Sequence, residues 1–181
     1  MPHVLITGRP GEGKTTLIRT IARQLQDYHP AGFYTAEMRT EGVRKGFRLV
    51  TFDGRQQVLF HIEHRSPPRV SRYGVDVIGF ERLVEQLDLR HVPSPVIVID
   101  EIGKMECFSP RFQEEVIGLL DSSKIVTATI ALKGNEFIER IKQRNDCRLV
   151  TVTEGNRVRL AATLVAEVLR AVRKEVGQGE L

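Results

Sequence analysis

The octapeptide GRPGEGKT, Gly8 to Thr15, constrains this chain more than any other stretch of it. It fills each fixed position of the pattern GxxxxGK[ST]. Before it stands HVLIT (His3 to Thr7), a short apolar run that predicts a buried strand. After it, Leu17, Ile18, Ile21, Ala22 and Leu25 recur at the helical period, which predicts a helix with one buried face from Lys14 to about Tyr28, ended by His29, Pro30 and Gly32. A strand, a glycine-rich turn and a helix in that order gather backbone N–H groups and a helix N-terminus around one point, an arrangement suited to phosphate.

In such a loop Lys14 reaches the β- and γ-phosphates and the Thr15 hydroxyl coordinates Mg²⁺. The predicted nucleotide-binding set is Gly8, Arg9, Pro10, Gly11, Glu12, Gly13, Lys14, Thr15 and Thr16, with Arg9 and Glu12 as variable, solvated positions. The loop implies binding of a nucleoside triphosphate. It does not by itself choose among hydrolase, phosphotransferase and motor.

The region that follows has aromatic and β-branched residues broken by turn signals at Glu41-Gly42 and Asp53-Gly54. Antiparallel strands are expected near Phe33–Arg39, Lys45–Phe52 and Gln57–Ile62, a hairpin insertion over about 33–62, followed by a loop at SPPR, residues 66–69. A helix is expected over Val77–Leu87, and VPSP (Val92–Pro95) resets the chain. VIVI, Val96–Ile99, is apolar without alternation, which suits a parallel strand covered on both faces. Beyond it the pattern predicts a helix at Pro110–Leu120, a strand at Lys124–Leu132, a helix at Asn135–Arg144, a strand at Arg148–Val152 and a helix at Arg157–Val176. Strands alternating with helices predict an α/β layered fold with a mainly parallel sheet. The expected organisation is a single domain over 1–176, with 177–181 as a tail.

Two carboxylates, Asp100 and Glu101, directly follow VIVI. Open α/β sheets bind ligands at the C-terminal ends of their strands, so Asp100 fits the role of metal holder, acting mainly through the water shell of Mg²⁺. Glu101, one residue on, is expected on the other side of the extended chain, where it faces the γ-phosphate and can orient a water and accept its proton. The competing readings are a helix cap for Asp100 and a solvated surface carboxylate for Glu101. Gly103, Lys104 and Glu106 stay open between a functional turn and an exposed charged loop.

Charge and cysteine usage narrow the class further. The 181 residues carry a formal net charge of +4, with Lys and Arg spread along the chain and no run of five like charges, which permits a nucleic-acid partner without implying one. Protein partners are left open by the sequence. The two cysteines, Cys107 and Cys147, have no CxxC or HxxxH companion and give no support to zinc or a disulfide framework. No stretch reaches eighteen apolar residues and no signal peptide is expected ahead of Gly8, so a cytoplasmic location with no membrane partner is expected.

With both motifs placed, the chain resembles the P-loop nucleoside-triphosphatases that include the thermophile nucleoside phosphatase and the human cancer-related NTPase. The resemblance rests on GRPGEGKTTL (Gly8–Leu17), GFYTAE (Gly32–Glu37), RYGVDV (Arg72–Val77), VIDEIGKME (Val98–Glu106), TATIALKG (Thr127–Gly134) and the pair Asn156-Arg157. It implies slow, Mg²⁺-dependent hydrolysis of ATP, GTP and other nucleoside triphosphates to diphosphate and phosphate. The implied fold is a three-layer P-loop NTPase core of RecA- or AAA-like type, with a strand inserted between the P-loop strand and the Asp100 strand. Residues 124–132 are the candidate for it. The resemblance further implies catalytic roles for Lys14, Asp100 and Glu101, metal contacts from Thr15 and Asp100, and a place near the nucleobase for Asn156 and Arg157. Thr129 is open between a γ-phosphate or water contact and a core role, and Lys133 between transition-state stabilisation and a solvated cation. RYGVD is expected beside the site without a mechanistic account. Phosphoryl transfer to a nucleotide or nucleic-acid acceptor and a nucleotide-dependent switch are the alternative functions that the same loop allows.

Overall fold

The computed structural model describes residues 3–65 and 67–178. Strand β1 (His3–Thr7) enters the glycine-rich turn and α1 (Lys14–Gln24). Strands β2 (Ala31–Thr40), β3 (Val43–Thr51) and β4 (Gln56–His61) follow as consecutive hairpins, and the short β5 (Arg69–Val70) and β6 (Tyr73–Val75) lead into α2 (Val77–Leu87). The remainder is β7 (Val96–Ile102), α3 (Pro110–Leu120), β8 (Ile125–Ile130), α4 (Glu136–Lys142), β9 (Cys147–Thr151) and α5 (Arg157–Gln178).

These strands form one mixed sheet in the order β5-β6-β4-β3-β2-β7-β8-β1-β9. From β2 through β9 the neighbours are parallel, and from β2 outward through β5 they are antiparallel. Strand β2 belongs to both halves: Gly32 pairs with Val98 of β7, while Thr35 and Glu37 pair with Leu49 and Phe47 of β3. The hairpin insertion is therefore a continuation of the central sheet. Strand β8 lies between β1 and β7, pairing Thr127 with both Val4 and Val98, as expected for the inserted strand of this fold type.

Two apolar cores flank the sheet and account for its three layers. One packs α2, α3 and α4 through Phe80, Leu83, Phe112, Val116, Phe137 and Ile138. The other packs α1 and α5 through Leu17, Ile18, Ile21, Leu164, Val168 and Val172. Helix starts are fixed by side chains that satisfy otherwise unpaired N–H groups: Asp76 accepts from Gly79, Ser109 from Phe112 and Asn135 from Ile138, at 2.9, 3.0 and 3.0 Å. Pro110 adds a pre-set φ at the first position of α3.

The structure departs from the sequence expectations at several boundaries. Helix α1 ends at Gln24 instead of Tyr28, because the Leu25 N–H is shared between Ile21 and Ala22 and the chain tightens into a 3₁₀ turn over Gln26–Tyr28. Arg69, expected in a loop with Pro67 and Pro68, starts β5, and RYGVD supplies β6, where Phe60 of β4 pairs with Val75, and then the Asp76 cap. Both strands are too short to carry a period of two. Strand β7 does not stop at Ile99 but runs through both carboxylates to Ile102, with a register shift against β8 between Ile99 and Ile102. Helix α5 extends to Gln178, into the expected tail; residues 179–181 and Ser66 lie outside the described residues.

Three phenylalanines tie the hairpin half to the helices on its covered face. Phe33 of β2 meets Phe80 of α2 and Phe112 of α3 with ring centroids 6.1 Å away in each case, and Phe80 and Phe112 are 5.1 Å apart. Phe112 is fully enclosed. Truncating it removes one corner of this cluster and leaves a cavity, so Phe112→Ala is expected to lower stability by about 3–5 kcal/mol in urea or thermal unfolding.

Candidate functional site

The C-terminal ends of β1, β8 and β7 meet at one edge of the sheet, and the candidate site is built there. Thr7 closes β1 and hands the chain to the glycine-rich turn. Gly13 occupies the N-cap of α1 at φ 89, and a Cβ there would also run into the Arg157 side chain. The turn is shaped by its own contacts. The Glu12 carboxylate accepts from the Arg9 N–H at 2.5 Å, and the Lys14 ammonium donates to the carbonyls of Gly8 and Arg9 at 3.1 and 3.5 Å. Arg9, Pro10 and Gly11 are exposed, Thr15 is half-buried at the first turn of α1, and Thr16 faces solvent.

Asp100 is 0% exposed at the end of β7. Its two oxygens are held from the two neighbouring strands: Thr129 of β8 donates to Oδ1 at 2.5 Å and Thr35 of β2 donates to Oδ2 at 3.3 Å. No cationic side chain forms an ion pair with it among the described residues. A buried carboxylate aimed by hydroxyls and lacking a protein cation among the described residues is what a hard divalent ion requires, and the hydroxyl of Thr15, in the first turn of α1, would supply a second oxygen. This donor set fits Mg²⁺, which keeps several waters and takes few protein oxygens.

Glu101 follows Asp100 through a cis peptide bond. Burial raises its pKa, offset in part by the nearby Lys14 charge and reinforced by the Asp100 charge. Glu106, only 4% exposed, stands beside it. A Cβ on Gly103 would lie 2.5 Å from Glu106 Oε2 and 3.0 Å from Glu101 Oε1, so the missing side chain of Gly103 is what lets the two carboxyls share one pocket. Burial, reinforced by the Glu101 and Asp100 charges, pushes the Glu106 pKa up to about 8. The same surroundings push the buried Cys107 thiol up to about 12.

A cavity of about 310 Å³ opens beside this carboxyl pair. Thr35, Phe47, Phe60, Met105 and Lys133 are among the residues that line it. Lys104 and Lys133 are exposed at its edge. Arg157 lies against Gly13 of the turn, whereas Asn156 is engaged in the loop before α5, accepting from the Thr153 N–H at 2.8 Å and donating to the Thr151 carbonyl at 3.0 Å.

Sequence reasoning did not single out Thr35 or assign a role to Glu106. Thr35 gains its role from β2 lying next to β7, a pairing with no local signal. Glu106 had one usable sign, a small residue at 103 between two carboxylates. Thr129, left open, is brought by the inserted strand β8 into contact with Asp100.

Comparison with known proteins adds to this geometry. A family model described as NTPase matches residues 3–165. The chain is 42% identical to the nucleoside-triphosphatase THEP1 of Thermotoga sp. (strain RQ2) over 97% of this chain and 98% of that protein. The crystal structure of THEP1 from the hyperthermophile Aquifex aeolicus superposes with a TM-score of 0.78 at 34% identity, covering 90% of this chain and 96% of that one. The solution structure of a human cancer-related nucleoside triphosphatase gives 0.76 at 36% identity, covering 93% and 97%.

The Glu106 pocket has a consequence for stability. Its pKa is raised in the folded chain from an ordinary 4.5 to about 8, so the folded state binds the extra proton between those values. The contribution of the neutral acid is full below pH 4.5 and lost as pH rises through about 8. Glu106→Gln, neutral at every pH, is expected to flatten that alkaline decline. The check is the melting temperature of both chains measured from pH 5 to 9.

Proposed function

The chain belongs to this NTPase family and hydrolyses nucleoside triphosphates, and we propose that it does so with Mg²⁺ as cofactor, Asp100 and Thr15 as metal ligands and Glu101 as the base that activates water. The observation that carries the assignment is the Asp100 carboxylate, buried beside Glu101 at the C-terminal end of the central strands, held by two hydroxyls and without an ion pair among the described residues, with the Lys14 charge close enough to act on Glu101.

The turn from Gly8 to Thr16 wraps the triphosphate, its backbone N–H groups and the N-terminus of α1 facing the phosphate oxygens. Lys14 leaves the carbonyls of Gly8 and Arg9 for the β- and γ-phosphates, offsetting the charge that builds as the terminal bridge breaks. Thr15 and Asp100 would hold Mg²⁺, which would supply charge neutralisation for the triphosphate. Asp100 keeps its orientation because Thr35 and Thr129 hold both of its oxygens. Glu101, with its proton affinity raised by burial, orients a water against the γ-phosphorus and accepts its proton. Glu106, neutral over most of the working range, spares Glu101 a second negative charge in the same pocket.

Arg157, against the turn, and Asn156, which fixes the loop leading to it, are proposed to border the nucleobase. Residues 1–176 are proposed to act as one catalytic unit. Among the described residues no helix is long and apolar enough to cross a membrane. A cytoplasmic location is part of the same proposal, supported by two cysteines that stay free.

The test is Glu101→Gln, which keeps the shape and removes the base. Nucleotide binding is expected to persist while phosphate release falls by about 10²–10⁴-fold. Unchanged turnover would remove Glu101 from its role.

A further inference from the structure

The two faces of the sheet are not equally covered. Helices α1 and α5 pack over β1, β7, β8 and β9, and no described helix continues this layer over the hairpin half. In the gap beside α1 lies a cavity of about 670 Å³, larger than the one beside Glu101, bounded by α1, the start of β2, the turn after β3 and the segment before β7. Its floor is apolar, made by Ala22, Ala31, Leu87, Leu89, Val92 and Pro93. Small-molecule sites have this character: about 300–1,000 Å³, largely apolar, with a few converging polar groups.

Three of the polar groups here are arginines, Arg19, Arg23 and Arg55, beside Gln26, His29, Asp53 and Ser94. Arg19 and Arg23 stand one helical turn apart on α1, both exposed and both at the cavity, and neither has a carboxylate partner among the described residues. Like charges at this spacing repel. The acid at this rim, Asp53, is already held by Arg55. Arg19 is also oriented, its guanidinium lying over the Tyr34 ring at 4.5 Å from the centroid, and Tyr34 is braced by Phe52 at 5.8 Å. A guanidinium resting against an aromatic ring still has N–H groups to donate, and their fork matches phosphate oxygens.

We propose that this groove is a second ligand site, separate from the glycine-rich turn, and that it takes a nucleoside monophosphate. The phosphate dianion bridges Arg19 and Arg23, relieving their repulsion, while the flat, weakly polar base lies on the apolar floor below them. A sugar phosphate meets the two arginines equally well but has no flat, weakly polar face to set against Leu87, Leu89 and Val92, which favours the nucleotide. The groove shares two elements with the candidate catalytic centre: Arg19 lies on the helix that begins with Lys14 and Thr15, and Tyr34 lies on the strand that carries Thr35, which holds Asp100.

The experiment is calorimetric titration of the chain with AMP, with the glycine-rich turn filled by a saturating non-hydrolysable triphosphate and Mg²⁺. AMP is expected to bind saturably with Kd below about 1 mM. Ribose 5-phosphate and inorganic phosphate are expected to bind at least about tenfold more weakly, which separates the base from the phosphate as the source of recognition. Arg19→Gln combined with Arg23→Gln, changes at exposed helix positions with little effect on helix propensity, is expected to weaken AMP by at least about tenfold. The same variant should keep its melting temperature and bind the triphosphate within about threefold of the parent. AMP that is displaced by the triphosphate, AMP that binds the double variant as tightly as the parent, or a chain that ignores AMP and covers the groove by self-association would each overturn the assignment.

Discussion

The buried carboxylate of Asp100 is the constraint on which the rest of the site depends. A charge withdrawn from water costs several kcal/mol unless something nearby compensates it. Here the compensation within the chain is two hydroxyls, from Thr129 on one side and Thr35 on the other, with no ion pair among the described residues. Those hydroxyls come from strands far apart in sequence, so the carboxylate is correctly held only when β2, β7 and β8 are neighbours in that order. Strand order, the inserted strand and the parallel start of the hairpin thus serve a single charged group.

The packing explains why that order is rigid. Strands β7 and β8 are covered on both faces, by the α2–α4 core and by the α1–α5 core, and the Phe33, Phe80 and Phe112 cluster anchors β2 to the first of these. On this frame the three acidic residues at the edge have different surroundings. Asp100 has hydroxyl donors, Glu101 has the Lys14 charge nearby, and Glu106 has burial with two like charges nearby, which pushes its pKa up to about 8. Environments that separate the proton affinities of neighbouring carboxyls are how one site assigns them different tasks.

Much of this was legible in the sequence because it is written locally. The GRPGEGKT turn, the unbroken apolar run before Asp100 and the helical spacing of Leu17, Ile18 and Ile21 each report on a few consecutive residues, and the structure has the strand, turn and helices they predict. What the sequence did not disclose depends on pairing between distant segments. Thr35 drew no role of its own and Thr129 stayed open between a phosphate or water contact and a core role until β2 and β8 were placed on either side of β7. The simple alternation expected to separate Asp100 from Glu101 met a register shift at that point of β7. RYGVD carried no chemical signal because its contribution is a three-residue strand and a helix cap. Glu106 stayed open between a functional turn and an exposed loop, and its burial beside the open side of Gly103 shows that it turns inward.

The central claim is that Asp100 is held buried in order to bind the metal. It is tested most directly by the Mg²⁺ concentration that half-saturates binding of a non-hydrolysable triphosphate, measured for the parent chain and for Asp100→Asn. The account predicts a rise of at least about tenfold in the variant, the scale on which even an outer partner of a metal ligand alters affinity. A Mg²⁺ requirement that stays the same, in a variant that remains folded, would contradict it.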